Sequence, residues 1–355
     1  MIINFDDYSY YPALRTRVAE MRGLHELDAE RKNRILPLIT LGQWPRALEF
    51  QRSIDRACEA MGERPFIVDL TAEADRLPNE HSQLTNAHNA FENWRNFVEK
   101  CSTAIPTVLL TQGARTRDLV RQAVLFEQIK GKLAFRIRDF PSDTATVISA
   151  LSAMDDPTNA IIFIDSQYIR SALAAYVTAT IATINAIRNE FPEAIVATLA
   201  TSFPASTISF ADQSQERGTI EMLERELYDR VGGSGVAIYG DHASIHSVVY
   251  DNGGVMRWSP RIDYPRFRDW YFERRSGMSP EAGYIAAAQA VVSADPEIGT
   301  RGIWGESMIV QAANGNPYAK APASWISVRS NIHMARQIDL ANQPLDEDDE
   351  DDETL

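Results

Sequence analysis

The feature that most narrows the fold is a repeat of order rather than of sequence. Six short apolar runs are each followed by a helix-patterned segment, and a seventh run closes the series. The runs are RILPLITL (34–41), PFIVDL (65–70), IPTVLLT (105–111), KLAFRIRDF (132–140), NAIIFIDSQ (159–167), AIVATLATSF (194–203) and GVAIYGDHASIH (235–246). Their starts are spaced by roughly 26–42 residues, the size of one βα unit. Strands buried on both faces of a parallel sheet read as near-continuous apolar runs, as these do. Seven such units need one more strand to close an eight-stranded (β/α)8 barrel. The segment 254–275 offers two candidates, VMRWSPRI and RDWYFERR. The expected fold is therefore α/β, a (β/α)8 TIM-barrel-like single domain. The alternative is an open doubly wound parallel sheet, disfavoured because no glycine fingerprint follows the first run.

Segments outside the repeat set the expected boundaries. Residues 8–27 read as an extra N-terminal helix, with Leu14, Val18, Met21, Leu24 and Leu27 on one stripe. This gives a helical extension over 1–30, a barrel with a C-terminal packing segment over 31–338, and a disordered acidic tail over 339–355. Ser279 and Pro280 mark the start of a helix over 279–294. The segment WISVRSNIHMARQI (325–338) reads as a helix or strand–helix on the outside of the barrel. The formal net charge is −14, and eight acids lie in the run DEDDEDDE (346–353), so the remainder carries about −6.

A mildly acidic body argues against a broad phosphate-binding surface, so no direct nucleic-acid binding is expected. No uninterrupted apolar stretch is long enough to cross a membrane, and the N-terminus has no basic region followed by an apolar one. Two cysteines, Cys58 and Cys101, are too few for a disulfide framework and suit a reducing cytoplasm. There is no GxxxxGK[ST] and no GxSxG, and no cofactor is implied.

In a barrel of this kind the working groups sit at the C-terminal ends of the strands. That rule selects Asp69, Arg136, Arg138, Asp165, Tyr239, Asp241, His242 and Arg261. Arg136 and Arg138 alternate with Phe135 and Ile137. If the two apolar residues pack under helices, both guanidiniums enter the lumen and need partners, for which Asp69 and Asp165 are placed. The readings are a structural Arg–Asp network or an anion site for phosphate or carboxylate. YGDHASIH (239–246) is the densest reactive cluster. Gly240 permits a sharp exit from the strand, and Asp241 can orient His242 as a general acid or base. A helix over 242–246 would put His242 and His246 on one face at a metal-ligand spacing, but the glutamate of HExxH is missing, and no metal is assigned.

The N-terminal residues Tyr11, Pro12, Leu14, Arg15, Arg17, Glu20, Leu24 and Pro37 resemble the signature of the beta protein family of bacteriophage and bacterial proteins. YGDHASIH, SPRIDY (259–264) and Trp325 are similar to its later blocks. The sequence departs in having arginines where lysines are expected and Ala19 where a glycine is usual. The resemblance implies a mobile-element setting and brings no activity with it. It also implies that Arg15, Arg17 and Glu20 reach a shared site or a fixed contact, whereas composition alone makes them a solvated helix face. Two functions follow as expectations. One is a component of phage–host conflict, in defence or immunity, acting through a protein partner. The other is a hydrolase or lyase acting on an anionic small molecule or nucleotide, with Arg136 and Arg138 as anion binders and His242, Asp241, Asp165 and Asp69 as the catalytic group.

Overall fold

The structure is a computed structural model and describes residues 3–205, 215–247 and 258–341. The acidic run at 346–353 and most of the expected tail lie outside the described residues. The strands are β1 (Tyr10–Arg15), β2 (Leu38–Leu41), β3 (Phe66–Leu70), β4 (Ala104–Pro106), β5 (Leu133–Ile137), β6 (Ala160–Tyr168), β7 (Ile195–Thr201), β8 (Arg217–Glu221), β9 (Tyr239–Asp241), β10 (Arg261–Pro265) and β11 (Asp269–Arg274). The helices are α1 (Val18–His25), α2 (Ala29–Lys32), α3 (Gln51–Met61), α4 (Pro78–Leu84), α5 (Glu92–Glu99), α6 (Thr116–Lys130), α7 (Phe140–Leu151), α8 (Leu173–Glu190), α9 (Leu223–Val231), α10 (Pro280–Ala294), α11 (Trp304–Ala313) and α12 (Pro322–Ala341).

Mixed α/β architecture with parallel sheets is the result. One sheet runs β4-β3-β2-β1-β9 and a second runs β5-β6-β7, all in parallel pairs. Isolated parallel bridges join Thr107 to Ala134 and Ala197 to Ile238, between the edges of these two sheets. Two apolar cores follow from strand alternation. Phe135, Ile137, Ile162 and Ile164 pack with the helices in the larger core. Tyr11, Ala13, Leu38, Ile67, Ile105, Ala134, Phe163 and Leu199 form a second core in which, among the described residues, no α-helix takes part. Continuous apolar runs are thus buried on both faces, as parallel strands require.

Two expectations need correction. The helix over 8–27 is a strand followed by a helix. Tyr10 pairs with Tyr239 and Ala13 with Leu38, so β1 lies between β9 and β2. Pro12 would sit inside such a helix without an N–H to donate, at a cost of about 3 kcal/mol, and adjacent tyrosines favour extended chain. Val18, one residue of the expected stripe, is exposed. The proposed eighth strand is also misplaced. Residues 261–265 and 269–274 join β8 in an antiparallel sheet of order β10-β11-β8. Its strands alternate between buried and half-exposed residues, the pattern of a sheet with one wet face. Of the two forms expected for 325–338, the helix is the one found, and it is itself covered. The segment forms most of α12, whose residues 330–338 are all buried, against α1, α11, β1 and β10.

The start of α10 matches the sequence: the Ser279 hydroxyl accepts from the Ala282 N–H at 3.4 Å and Pro280 begins the helix. Cys58 and Cys101 are free thiols whose sulfurs lie 3.2 Å apart.

Candidate functional site

The pleat of β5 sends Arg136 toward the neighbouring strand ends. Its Nη1 donates to Asp69 at 2.8 Å and to Thr40 Oγ1 at 2.9 Å, while Nε donates to Asp165 at 2.9 Å. Its Nη2 also lies 2.8 Å from Asp165. Four strands, β2, β3, β5 and β6, are therefore tied by one guanidinium. Asp69 is completed by the Thr107 hydroxyl at 3.0 Å. Both carboxylates and Arg136 are almost fully buried, so this pairing is compulsory. Arg138 is bound more loosely, at 3.4 Å from Asp165 and 3.5 Å from Asp69, and its side chain is 34% exposed. The two arginines of the alternating strand thus divide the work, one sealing the network and one facing outward.

His242 follows β9 and places Nε2 3.0 Å from Asp165 Oδ1. Burial alone would raise the Asp165 pKa; Arg136, then His242, outweigh it and hold the carboxyl well below its ordinary range. Burial lowers the His242 pKa, opposed by Asp165 and helped by Arg136 and Arg15. At neutral pH the pair is an ionised carboxylate and a neutral imidazole. The carboxylate can only accept, so the imidazole proton sits on Nε2 and Nδ1 keeps its lone pair.

Arg15 ends β1 beside this pair. Its backbone N–H donates to Glu20 at 2.6 Å, which fixes the turn into α1. Burial raises the Glu20 pKa, against the opposing effect of Arg15. Among the described residues the Arg15 guanidinium has no hydrogen-bond or ion-pair partner. Burial lowers its pKa, the sign of a cation drawn from water without a bonded counter-charge. A cavity of ≈ 230 Å³ is lined by Arg15, Glu20, Thr40, Arg136, Arg138, Asp165 and His242. Arg17 lines a smaller adjoining recess with Arg15.

The other selected residues lie elsewhere. Asp241 precedes His242, so its side chain leaves the strand on the opposite face. It accepts from Tyr10 Oη at 2.6 Å, Tyr239 Oη at 2.7 Å, the Ala243 N–H at 2.8 Å and His333 Nε2 at 2.6 Å. Burial opposes its ionisation, but His333 and the two tyrosines hold its pKa far below the usual carboxylate range. Asp241 therefore does not orient His242, and Tyr239 does not face the cavity. Arg261 sits in β10, paired with Asp263, and is not among the cavity residues. Gly240 is not a device for leaving the strand. A Cβ there would come within 2.7 Å of Leu199 Cδ2 and the Thr198 carbonyl and 2.8 Å of the Tyr11 carbonyl, so the crowded strand core excludes any side chain. Residues 242–246 are not helical, and Ala243 and Ser244 have φ of 49° and 63°. The shared helical face for His242 and His246 does not form. Among the described residues no group of three or more His, Cys, Asp or Glu could hold a metal ion.

His333, Ser330 and Trp270 carry no signal in the sequence yet hold this loop. Ser330 donates to the Ala243 carbonyl at 3.1 Å and Trp270 Nε1 to Ser244 Oγ at 2.7 Å. Left-handed backbone at two consecutive non-glycine residues costs about 1–3 kcal/mol each and persists only where the surroundings over-determine it.

Comparison with known proteins agrees with the N-terminal signature that builds this site. The family model described as Beta protein matches residues 10–339. The chain belongs to the beta protein family. It is 46% identical over 355 residues, 99% of each chain, to Protein beta of Enterobacteria phage P4. In this family member Arg15 and Glu20 of the signature are both at the cavity, and Arg17 is at its adjoining recess. No described helix is long and apolar enough to cross a membrane.

Proposed function

We propose that this beta protein family member binds a small anionic ligand at the mouth of a closed eight-stranded parallel barrel, and that His242 serves there as a general base. The observation that carries the reading is Arg15: its guanidinium lines the cavity beside the half-free Arg138 and has no bonded partner among the described residues. A desolvated cation that feels Glu20 and Glu73 only at a distance, with no carboxylate bonded to it, is costly to keep, and a bound phosphate or carboxylate removes that cost. The two parallel bridges at the sheet edges support closure into a barrel, with β1 in place of the expected eighth strand. The neutral His242, with Nδ1 as its free lone pair, supports proton abstraction from a bound anion and hence hydrolase or lyase chemistry. Asp69 and Asp165 serve as anchors for Arg136, not as metal ligands.

The test is thermal unfolding in phosphate against chloride at equal ionic strength. Phosphate is expected to raise the melting temperature of the wild type, because a ligand bound only to the native state stabilises it. Arg15→Gln should lose that rise. Equal melting temperatures for the wild type in both salts, together with no response to carboxylates, would remove the anion reading.

The phage P4 relative favours a second reading at the level of biology: a component of phage–host conflict in the host cytoplasm, working through a protein partner. Specific co-purification of one host protein with the wild type, lost in a strain lacking the phage element, would support it; recovery of no partner under native expression would count against it.

A further inference from the structure

A second cavity, of ≈ 570 Å³, shares Arg136 and Arg138 as a wall with the Arg15 cavity. The two differ in chemistry. The smaller holds three cations, Arg15, Arg136 and Arg138, beside His242, together with the carboxylates of Glu20, Glu73 and Asp165, of which Asp165 is already paired with Arg136. The larger has an apolar wall from Val108, Leu109 and Leu119 and hydroxyls from Thr111, Ser142 and Thr146. Its size lies in the range of small-molecule pockets, about 300–1,000 Å³. Asp139 and Asp143 also face it, and Asp143 already accepts the backbone N–H groups of Arg138 and Asp139 at 2.9 Å each. A second anionic group on this side would meet carboxylates.

We infer that the ligand is an organic phosphate monoester, with its single phosphate between Arg15 and Arg138 and an uncharged body of about nucleoside size in the larger cavity. This rests on the anion reading above and deepens it. Three terminal phosphate oxygens can serve two guanidinium forks at once, whereas a carboxylate has two. An uncharged ring with hydroxyls matches a wall that is apolar on one side and hydroxyl-bearing on the other. Arg138, between the cavities, would bind where the ester joins the body.

Calorimetric titration with inorganic phosphate, ribose 5-phosphate and adenosine 5′-monophosphate tests this. At least one ester should bind about tenfold more tightly than inorganic phosphate, a gain of about 1.4 kcal/mol. Thr146→Phe, on a partly exposed helix face, should erase that gain and leave inorganic phosphate affinity within about twofold. Thr111→Leu, on another wall, provides a second variant if the first fails to fold. Tighter binding of the nucleotide alone would assign the body as a nucleoside; equal gains for both esters would assign it as a sugar. Inorganic phosphate that binds through Arg15 with no gain for either ester overturns this inference and leaves the anion site standing. A gain that survives both cavity-filling variants also overturns it. Failure of inorganic phosphate to bind at all is a failure of the anion reading itself.

Discussion

Two carboxylate–imidazole pairs lie back to back across β9. At the mouth, Asp165 meets His242 at 3.0 Å; behind the strand, Asp241 meets His333 at 2.6 Å. His242 and Asp241 are neighbours in sequence, and the pleat sends them to opposite faces. The buried pair is saturated. Asp241 takes four donors, Tyr10 and Tyr239 stack with ring centroids 5.6 Å apart, and Arg225 lies 3.4 Å from the centre of the Tyr239 ring. The mouth pair is bordered by a cavity and by a guanidinium with no bonded partner among the described residues. The same two functional groups are a structural joint in one place and an open site in the other. What separates them is not the number of donors, since Asp165 also accepts from Arg136, Arg138, the Gln167 N–H and His242, but whether space is left beside the ring.

The largest effect expected is on Arg136→Ala. It strands Asp69 and Asp165 as buried charges and should destabilise the protein by about 3–5 kcal/mol in urea unfolding. A loss below about 1 kcal/mol would mean that the mouth network is wetter than its burial indicates. Next comes Asp241→Asn, which turns an NH2 toward groups that are themselves donors. It should cost about 1–3 kcal/mol and leave phosphate binding at the mouth unchanged. Equal damage to binding would break the distinction between the two pairs. Arg138→Ala should cost less, at most about 1 kcal/mol, because its long ion pairs are partly exposed and Arg136 still neutralises both carboxylates. Its phosphate affinity should nevertheless fall.

The smallest effect is a pH dependence that tells the pairs apart. The His242 pKa is lowered in the folded protein, so the unfolded chain binds its proton first as pH falls. The stability contributed by neutral His242 is therefore complete above the unfolded value of about 6.5 and declines as pH drops from there toward the folded value. The stability difference between wild type and His242→Gln should shrink between about pH 7.5 and 5.5. Asp241 obeys the opposite rule for a depressed carboxyl: its contribution is present above about pH 3.9 and is lost only as pH falls through the folded value. Asp165 follows the same acid rule, so only the arm near neutrality belongs to the mouth imidazole. A stability difference that stays flat across that arm would show that His242 is not held neutral by burial.

The sequence made the mouth more legible than its frame. Arg136 and Arg138 were readable because two cations alternating with Phe135 and Ile137 in a buried strand demand carboxylates nearby. The first strand is hidden by its own composition: Leu14 and Met21 fall at helical spacing, and only Pro12 and the adjacent Tyr10 and Tyr11 argue otherwise. β4 and β9 are three residues long, too short to show a period, and were located by order alone. Asp241 reads as part of the site because sequence proximity to His242 hides the reversal of face. His333 was invisible for a different reason. A helix buried on most of its surface, with Ser330, Asn331, His333, Arg336 and Gln337 all inside, has no polar stripe from which to read which residue reaches where.

The position of β1 and α12 has a consequence for timing. Tyr10 meets its carboxylate 231 residues later, and Asn331 binds the Gly23 carbonyl across 308 residues. At about 5–20 residues per second of synthesis, the first strand waits many seconds on the ribosome before β9 emerges, and longer before α12 does. Until then Arg15 has no mouth to face, and one edge of β1 is open to any extended chain nearby. The candidate site is thus complete only once the residues after β9, His242 among them, have emerged. Chains interrupted before β9, however well the middle strands have folded, hold Asp69, Arg136 and Asp165 without His242 beside them.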